Sequence, residues 1–272
     1  MAQHEGQRPV TAVVKLSSTP LLAVGIACAL ASVAFADSFV GTEAADVIEG
    51  TEEPDQIYAE AGDDSVTGIG GSDYLEAGTG DDMVDGGSGV DLVIGGTGND
   101  RLLGGTGGDI VYAGADDDEV IGGTGEDHLF GQVGADRLFG GPEDDSLYAG
   151  SDSLPGEADF ADGGSGDDRI AVDGIGTLLG GPGEDIIKAQ GERVTVDGGP
   201  EDDVIRTGSG VDDVTGGTGR DKIFVGRGRD LVDADDDERD IVDCGKGRDR
   251  VRTDDKDVLK HCEVDLGPRA RR

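Results

Sequence analysis

The chain has no tryptophan, two methionines, three histidines and three cysteines in 272 residues, and only 4% of it is aromatic. A conventional core needs more large apolar side chains than this. Either the chain is disordered, or its interior is assembled from small aliphatic residues at regular spacing. The histidines are His4, His128 and His261; the first falls in the leader described below and the second at an outward strand position, so no Ser-His-Asp triad or histidine zinc site can be assembled. Positive charge is scarce too, with 22 Lys and Arg against 60 Asp and Glu and a formal net charge of −38. Nucleic acid is a poor partner for such a surface, because phosphate binding needs clustered Lys and Arg. The basic ending Arg269, Arg271 and Arg272 is too short to alter that.

Long apolar runs are also missing, with one exception. Arg8 and Lys15 precede PLLAVGIACALASVAFA, which ends in Ala34-Phe35-Ala36. A basic start, a short apolar stretch and an A-x-A site predict a secretory signal over residues 1–36, too short for a membrane anchor. The expected product is an exported, extracellular chain beginning near Asp37, with no membrane span. Cys28 leaves with the leader, so Cys244 and Cys262 remain. An even count in an exported chain favours a disulfide closing the C-terminal segment, two free thiols being the alternative. The two are too far apart for a C-x-x-C redox or zinc pair.

What the chain has in abundance is glycine, 51 residues of it, and a period of nine. Aspartate stands at Asp46, Asp55, Asp64, Asp73, Asp82, Asp91, Asp100, Asp109, Asp118, Asp127, Asp136 and Asp145 without a slip. Two residues after each comes an aliphatic, from Ile48 and Ile57 through Leu102 and Val111 to Leu147. Five residues before each stands Gly or Ala. Glycine supplies positive φ and close backbone approach, so the first six residues of the phrase are expected to turn. The last three, as in Arg101-Leu102-Leu103, alternate in direction like a strand. So short a strand survives only when stacked on copies of itself, about 4.8 Å apart in a parallel sheet. Two nonapeptides then make one flattened coil, with the aliphatics of two sheets meeting inside.

Coiling makes residues eighteen apart vertical neighbours, so Asp46, Asp64, Asp82, Asp100, Asp118 and Asp136 form one ladder and Asp55, Asp73, Asp91, Asp109, Asp127 and Asp145 another. Carboxylates about 5 Å apart repel by roughly 1 kcal/mol in water and several-fold more at a protein-like dielectric. A cation between rungs reverses the sign. Oxygen-only donors in a flexible cage, with turn carbonyls completing the set, suit Ca²⁺ better than Mg²⁺.

The units GGSGVDLVI from Gly86, GGTGNDRLL from Gly95, GGTGGDIVY from Gly104 and GGTGEDHLF from Gly122 resemble the RTX, or haemolysin-type, calcium-binding nonapeptide GGxGxDxUx. The resemblance implies an all-β parallel β-roll, a β-solenoid of two-nonapeptide coils, with several Ca²⁺ ions in the turns. These would be ligated by the sixth-position aspartates and by turn carbonyls. It holds over most of residues 41 to 257.

The regular roll is expected over 37–150. The phase breaks at SDSLPGEADFA, read as an insertion loop over 151–162, and a less regular roll follows over 163–230. There the candidate ligands are Asp168, Asp185, Asp203, Asp212, Asp221 and Asp230. Slots near Thr177 and at Val194 lack aspartate but keep Leu178 or Leu179, and Val196, so one ladder should be interrupted there. Asp240, Asp249 and Asp257 keep the phrase at spacings of ten, nine and eight, as closing turns over 231–272 stapled by Cys244 and Cys262. A dozen coils predict a rod of about 55 Å.

No catalytic constellation accompanies this. Carboxylates abound, but their regular period favours metal ligation over a glycosidase pair, and there is no GKS, GKT or helix-opening GxGxxG. Asp233, Asp235 and Asp237 mimic an EF-hand start, yet Glu238 stands where that loop needs Gly and Cys244 where it needs Glu. Family members often join such repeats to a toxin, protease or lipase, whereas here the repeats fill the chain. An amino-terminal leader also departs from the family's carboxy-terminal export signal. The leading reading is a non-enzymatic, secreted calcium-binding repeat protein that folds on Ca²⁺, with a structural, adhesive or calcium-scavenging role and an unidentified surface or matrix partner. Tyr58, Tyr112, Phe130, Phe139 and Tyr148 are its candidate adhesive residues. An extracellular hydrolase or toxin-like protein scaffolded on the roll is the alternative. A diffuse, disordered acidic coat is a third, and it fails to explain the aliphatic phase.

Overall fold

The structure is a computed structural model, and it describes residues 14–16, 37–150 and 158–265. Each nonapeptide crosses the molecule once, and successive strands alternate between two sheets. Asp37–Val40, Asp55–Tyr58, Tyr74–Thr79 and Leu92–Thr97 open one; Val47–Thr51, Ser65–Ile69, Met83–Ser88 and Arg101–Thr106 open the other. The two sheets run on to Val258–Lys260 and Val264–Asp265, with fourteen and thirteen strands among the described residues, and in the last coils the short strands Ser209–Gly210, Arg227–Gly228 and Lys246–Gly247 form a third, three-stranded sheet. Register advances by eighteen residues per coil: Ile110 pairs with Leu92 on one side and His128 on the other, and Val111 with Val93 and Leu129. Among the described residues all pairing is parallel except at the start, where Val14–Leu16 lies antiparallel on Asp37–Val40. Thirteen parallel strands at the sheet spacing stack to about 60 Å. The molecule is thus the expected all-β parallel β-solenoid.

The core is the aliphatic row. Ile57, Leu75, Val93 and Val111 from one sheet face Ile48, Val84, Leu102 and Val120 from the other, all 0% exposed. Each such side chain contributes about 1.5–3 kcal/mol on burial, and no large aromatic is needed because each coil adds one residue from each side. The row crosses the irregular region without a break, through Ala161, Ile170, Leu178, Ile187 and Val196. Leu178 is the inward residue there, and Leu179 is half-exposed.

The strands are longer than the three residues expected. In regular coils they span six, as in Leu92–Thr97 and Arg101–Thr106. The extension comes from the Gly-Gly pair, which stays in the ladder: Gly96 pairs with Gly78 and Gly114. The second glycine of the pair takes positive φ, 99° at Gly87 and 122° at Gly96. Glycine reaches that region at little cost, so the strand bends toward the next sheet without leaving its hydrogen bonds.

Of the stretch read as an insertion, Asp159–Asp162 already lies in a strand, Asp159–Ser165, which pairs with Arg137–Pro142. The leader expected over 1–36 falls, apart from Val14–Leu16, outside the described residues, as does the basic tail from Arg269 onward. Among the described residues no helix is long and apolar enough to cross a membrane.

Candidate metal centre

Each sixth-position aspartate stands where the turn re-enters a strand, and each does three things. Its carbonyl accepts a ladder bond from the next coil, as Asp46 does from the Ser65 N–H at 2.9 Å. Its own N–H donates to Oδ1 of the aspartate one coil on, eighteen residues away in the regular coils: Asp64 to Asp82 at 2.7 Å, Asp73 to Asp91 at 2.8 Å, Asp100 to Asp118 at 2.8 Å. Its Oδ2 is buried and has no hydrogen-bond partner, at Asp64, Asp73, Asp82, Asp91, Asp100 and Asp118 alike. At the first rungs the two oxygens trade places, because Oδ2 of Asp46 and of Asp55 accepts from the N–H and hydroxyl of Thr42 and Thr51, leaving Oδ1 unpartnered.

The aspartates form two columns, as the eighteen-residue arithmetic requires. One runs from Asp55 through Asp145, Asp168, Asp185, Asp203, Asp221 and Asp240 to Asp257 without a gap, each linked to the next by the same N–H to Oδ1 bond. The other runs from Asp46 to Asp136, continues to Asp159 at 3.1 Å, and then meets Gly176 and Val194. It resumes where the Val194 N–H donates to Asp212 Oδ1 at 3.2 Å, and continues through Asp230 to Asp249. Both empty slots thus fall on one edge, and the first is Gly176 rather than its neighbour Thr177.

Asp159, Asp240, Asp249 and Asp257 join these columns although the nonapeptide pattern did not place them among the candidate ligands. Leu154 and Asp235 stand five residues before Asp159 and Asp240, where the phrase needs Gly or Ala. The signal that does locate three of them is the aliphatic two places on, since Ala161, Val242 and Val251 are all buried.

The electrostatics are severe. Burial is the largest influence on these carboxyls and pushes them up; the backbone N–H at each Oδ1 pulls the other way, and nearby acids, neighbouring rungs at many positions and surface carboxylates at others, raise them again. The result is about 6 at Asp64, Asp73, Asp109, Asp127, Asp185, Asp221 and Asp230. It is about 7 at Asp100, Asp145, Asp168 and Asp240, and about 8 at Asp118 and Asp203. A buried carboxylate oxygen with no partner costs several kcal/mol unless something neutralises it. A row of such oxygens at regular spacing fits a hard divalent cation. Among the described residues no three His, Cys, Asp or Glu side chains gather at one point, so backbone carbonyls would have to complete any cation's shell, a donor set of the kind Ca²⁺ accepts.

The small residue five places before each aspartate is explained by the same geometry. A Cβ on Gly104 would stand 2.6 Å from both Asp109 Oδ2 and the Gly122 carbonyl. A larger side chain there would displace the carboxylate. The aromatic candidates divide between faces: Tyr58, Tyr112, Phe130 and Tyr148 lie on strands of the fourteen-stranded sheet, with Tyr112 and Phe130 stacked at 4.7 Å, while Phe139 meets Phe160 on the other. Cys244 and Cys262 are joined by a disulfide between consecutive coils.

Among curated proteins none matches the chain. A family model described as the RTX calcium-binding nonapeptide repeat (4 copies) matches residues 40–68, 67–102, 94–129, 130–153, 171–205, 179–214, 197–232, 206–241 and 215–251. These matches together cover well over half of the chain, and they skip the stretch where the insertion enters the coil. On aspartate columns, buried core and repeat alike, the chain belongs to the RTX calcium-binding nonapeptide repeat family.

Proposed function

We propose that this calcium-binding repeat protein is exported through its leader, residues 1–36, and folds outside the cell when Ca²⁺ enters the two aspartate columns. The ligands in this reading are Asp46, Asp55, Asp64, Asp73, Asp82, Asp91, Asp100, Asp109, Asp118, Asp127, Asp136, Asp145, Asp168, Asp185, Asp203, Asp212, Asp221 and Asp230. Asp159, Asp240, Asp249 and Asp257 are added to them on register. Ca²⁺ supplies the positive charge that lets the rungs stack ionised; the chain supplies carboxylates, turn carbonyls and a dry aliphatic interior. The regular roll over 37–150, the insertion, the roll over 163–230 and the closing turns over 231–272 then form successive stretches of one rod. Its role is mechanical or adhesive, or the capture of calcium, and none of these needs catalysis.

The observation that carries the reading is the repeated buried carboxylate oxygen without a partner. Extracellular calcium modules bind at about 10⁻⁴ to 10⁻³ M, a range in which a chain stays open inside a cell and closes outside it. The test is far-UV circular dichroism of the chelated chain at neutral pH during titration with CaCl₂, with MgCl₂ as control. A cooperative gain of β signal with Ca²⁺ alone is expected. Full β signal in the chelator, or no gain at millimolar Ca²⁺, rejects calcium-driven folding.

A further inference from the structure

One column of residues on the surface is left unused by the calcium reading. Immediately before each aspartate of the interrupted column stands a residue on the outer side of the same edge. In coil order these are Ala45, Asp63, Asp81, Asn99, Asp117, Ala135, Ala158, Ile175, Arg193, Val211, Arg229 and Arg248. The order is fixed by pairing of the strands that follow, Ser65 with Met83, Arg137 with Phe160, Thr195 with Asp213 and Leu231 with Arg250. Charge along this edge therefore changes sign: acidic near the amino-terminal end, neutral in the middle, basic near the carboxy-terminal end.

The change of sign is antisymmetric about the middle. Turned end for end about Ala158, the column sets Asp63 against Arg248, Asp81 against Arg229, Asn99 against Val211, Asp117 against Arg193 and Ala135 against Ile175. In these five pairs every acid meets a base and every neutral residue a neutral one, while Ala158 meets its own copy and Ala45 lies beyond the overlap. Arg193, Arg229 and Arg248 are exposed, and none makes an ion pair among the described residues. Arg227 and Lys246 add to the cost, because they are directly paired across neighbouring short strands and both are exposed. Like charges directly opposite one another destabilise a sheet. In a chain with 60 acidic residues, leaving these bases without a carboxylate points to a partner outside the chain.

We propose that the partner is a second copy of this chain, lying antiparallel along this edge in a two-fold dimer. A two-fold contact requires a self-complementary surface, in which residue i meets j and j meets i, and the column has that property. Both copies share the rung spacing of about 4.8 Å, so opposed charges stay in step over several coils. The contact is made by the two charged thirds of the edge. It depends on the coil register alone, so it stands whether or not calcium drives folding. Net charge opposes it, since two chains of −38 repel.

That opposition sharpens the test. Sedimentation velocity is measured on the full chain in Ca²⁺, with circular dichroism on the same samples to establish the β-roll. The wild type is expected to dimerise. D63R/D81R and R229D/R248D, each alone, are expected to weaken the dimer at least tenfold, and an equimolar mixture of the two is expected to restore it. D63R/D81R lowers the net negative charge, so an effect of overall repulsion would strengthen association instead. A wild type that is β-folded yet monomeric at hundreds of micromolar overturns the proposal. So does a dimer indifferent to both swaps, or a mixture that stays monomeric.

Discussion

The metal-free roll should be a creature of acid pH. In the folded, cation-free chain burial holds Asp118 and Asp203 at about 8 and Asp100, Asp145, Asp168 and Asp240 at about 7, whereas the unfolded chain returns them to about 3.9. A carboxyl raised by folding stabilises the fold fully below its unfolded value, and that stability is lost as pH rises through the folded one. The window is therefore pH 4 to 8, and stability falls across it. At 1.36 kcal/mol per pH unit, ionising Asp118 alone at pH 8 costs on the order of 5 kcal/mol. Whole domains are stable by only about 5–15 kcal/mol, so a few such ionisations suffice to open the coil.

The perturbation is pH, from 4.5 to 8, in excess chelator and again in millimolar Ca²⁺. Urea unfolding followed by far-UV circular dichroism gives the midpoint at each pH, with sedimentation to exclude aggregation. In chelator the midpoint should fall steadily and the β signal vanish near neutrality. In Ca²⁺ the slope should reverse, because the cation binds the ionised form and protons compete with it. A chelated chain more stable at pH 8 than at pH 4.5 would refute both the burial of ionisable rungs and the argument for their neutralisation by metal.

Three further outcomes follow from other parts of the coil. Leu102→Ala removes a side chain that is 0% exposed and should cost about 2–5 kcal/mol in urea unfolding with Ca²⁺ present; a loss below 1 kcal/mol would mean the interior is not close-packed. Gly176 has no positive φ and its nearest Cβ neighbour is the Asp159 carbonyl at 3.3 Å, so Gly176→Asp should extend the interrupted column and raise calcium stoichiometry by one or two in calorimetry; unchanged stoichiometry speaks against the column as the binding element. Reducing Cys244–Cys262 opens an eighteen-residue link between consecutive coils, worth roughly 3 kcal/mol. Hydrogen exchange should accelerate in strands after Val225 and leave the coils around Leu102 protected, whereas uniform acceleration would show that the closing turns hold the whole rod.

The core was legible because its rule is local: an aliphatic two places after each aspartate is enough to place Ile57 and Leu102 inside. The reach of the strands was not, because Gly-Gly reads as a turn until a neighbouring Gly-Gly eighteen residues away is there to pair with it. Asp159 was hidden for a related reason. Asp136 and Asp159 are 23 residues apart yet linked like any two rungs, so spatial phase survives where sequence phase is lost, and only buried Ala161 reveals the rung. The charge reversal from Asp63 to Arg248 becomes visible only once the steps across the insertion and the last coils are known in space.

The division of labour between Oδ1 and Oδ2 is the part no sequence pattern contains. One carboxylate oxygen caps a backbone N–H in the preceding coil, and it does so even where that slot holds no aspartate, as Asp212 does for the Val194 N–H. Strand register, cap and candidate ligand are thus properties of a single side chain repeated up the rod. An Asp→Asn change at Asp118 keeps an acceptor for the Asp100 N–H but removes the charge, so it separates cap from ligand. It should stabilise the chelated coil at pH 8, where wild-type Asp118 is being ionised, and weaken it in Ca²⁺. Opposite signs in the two conditions are what the double role requires; a loss of stability in both would reduce the aspartate to its cap.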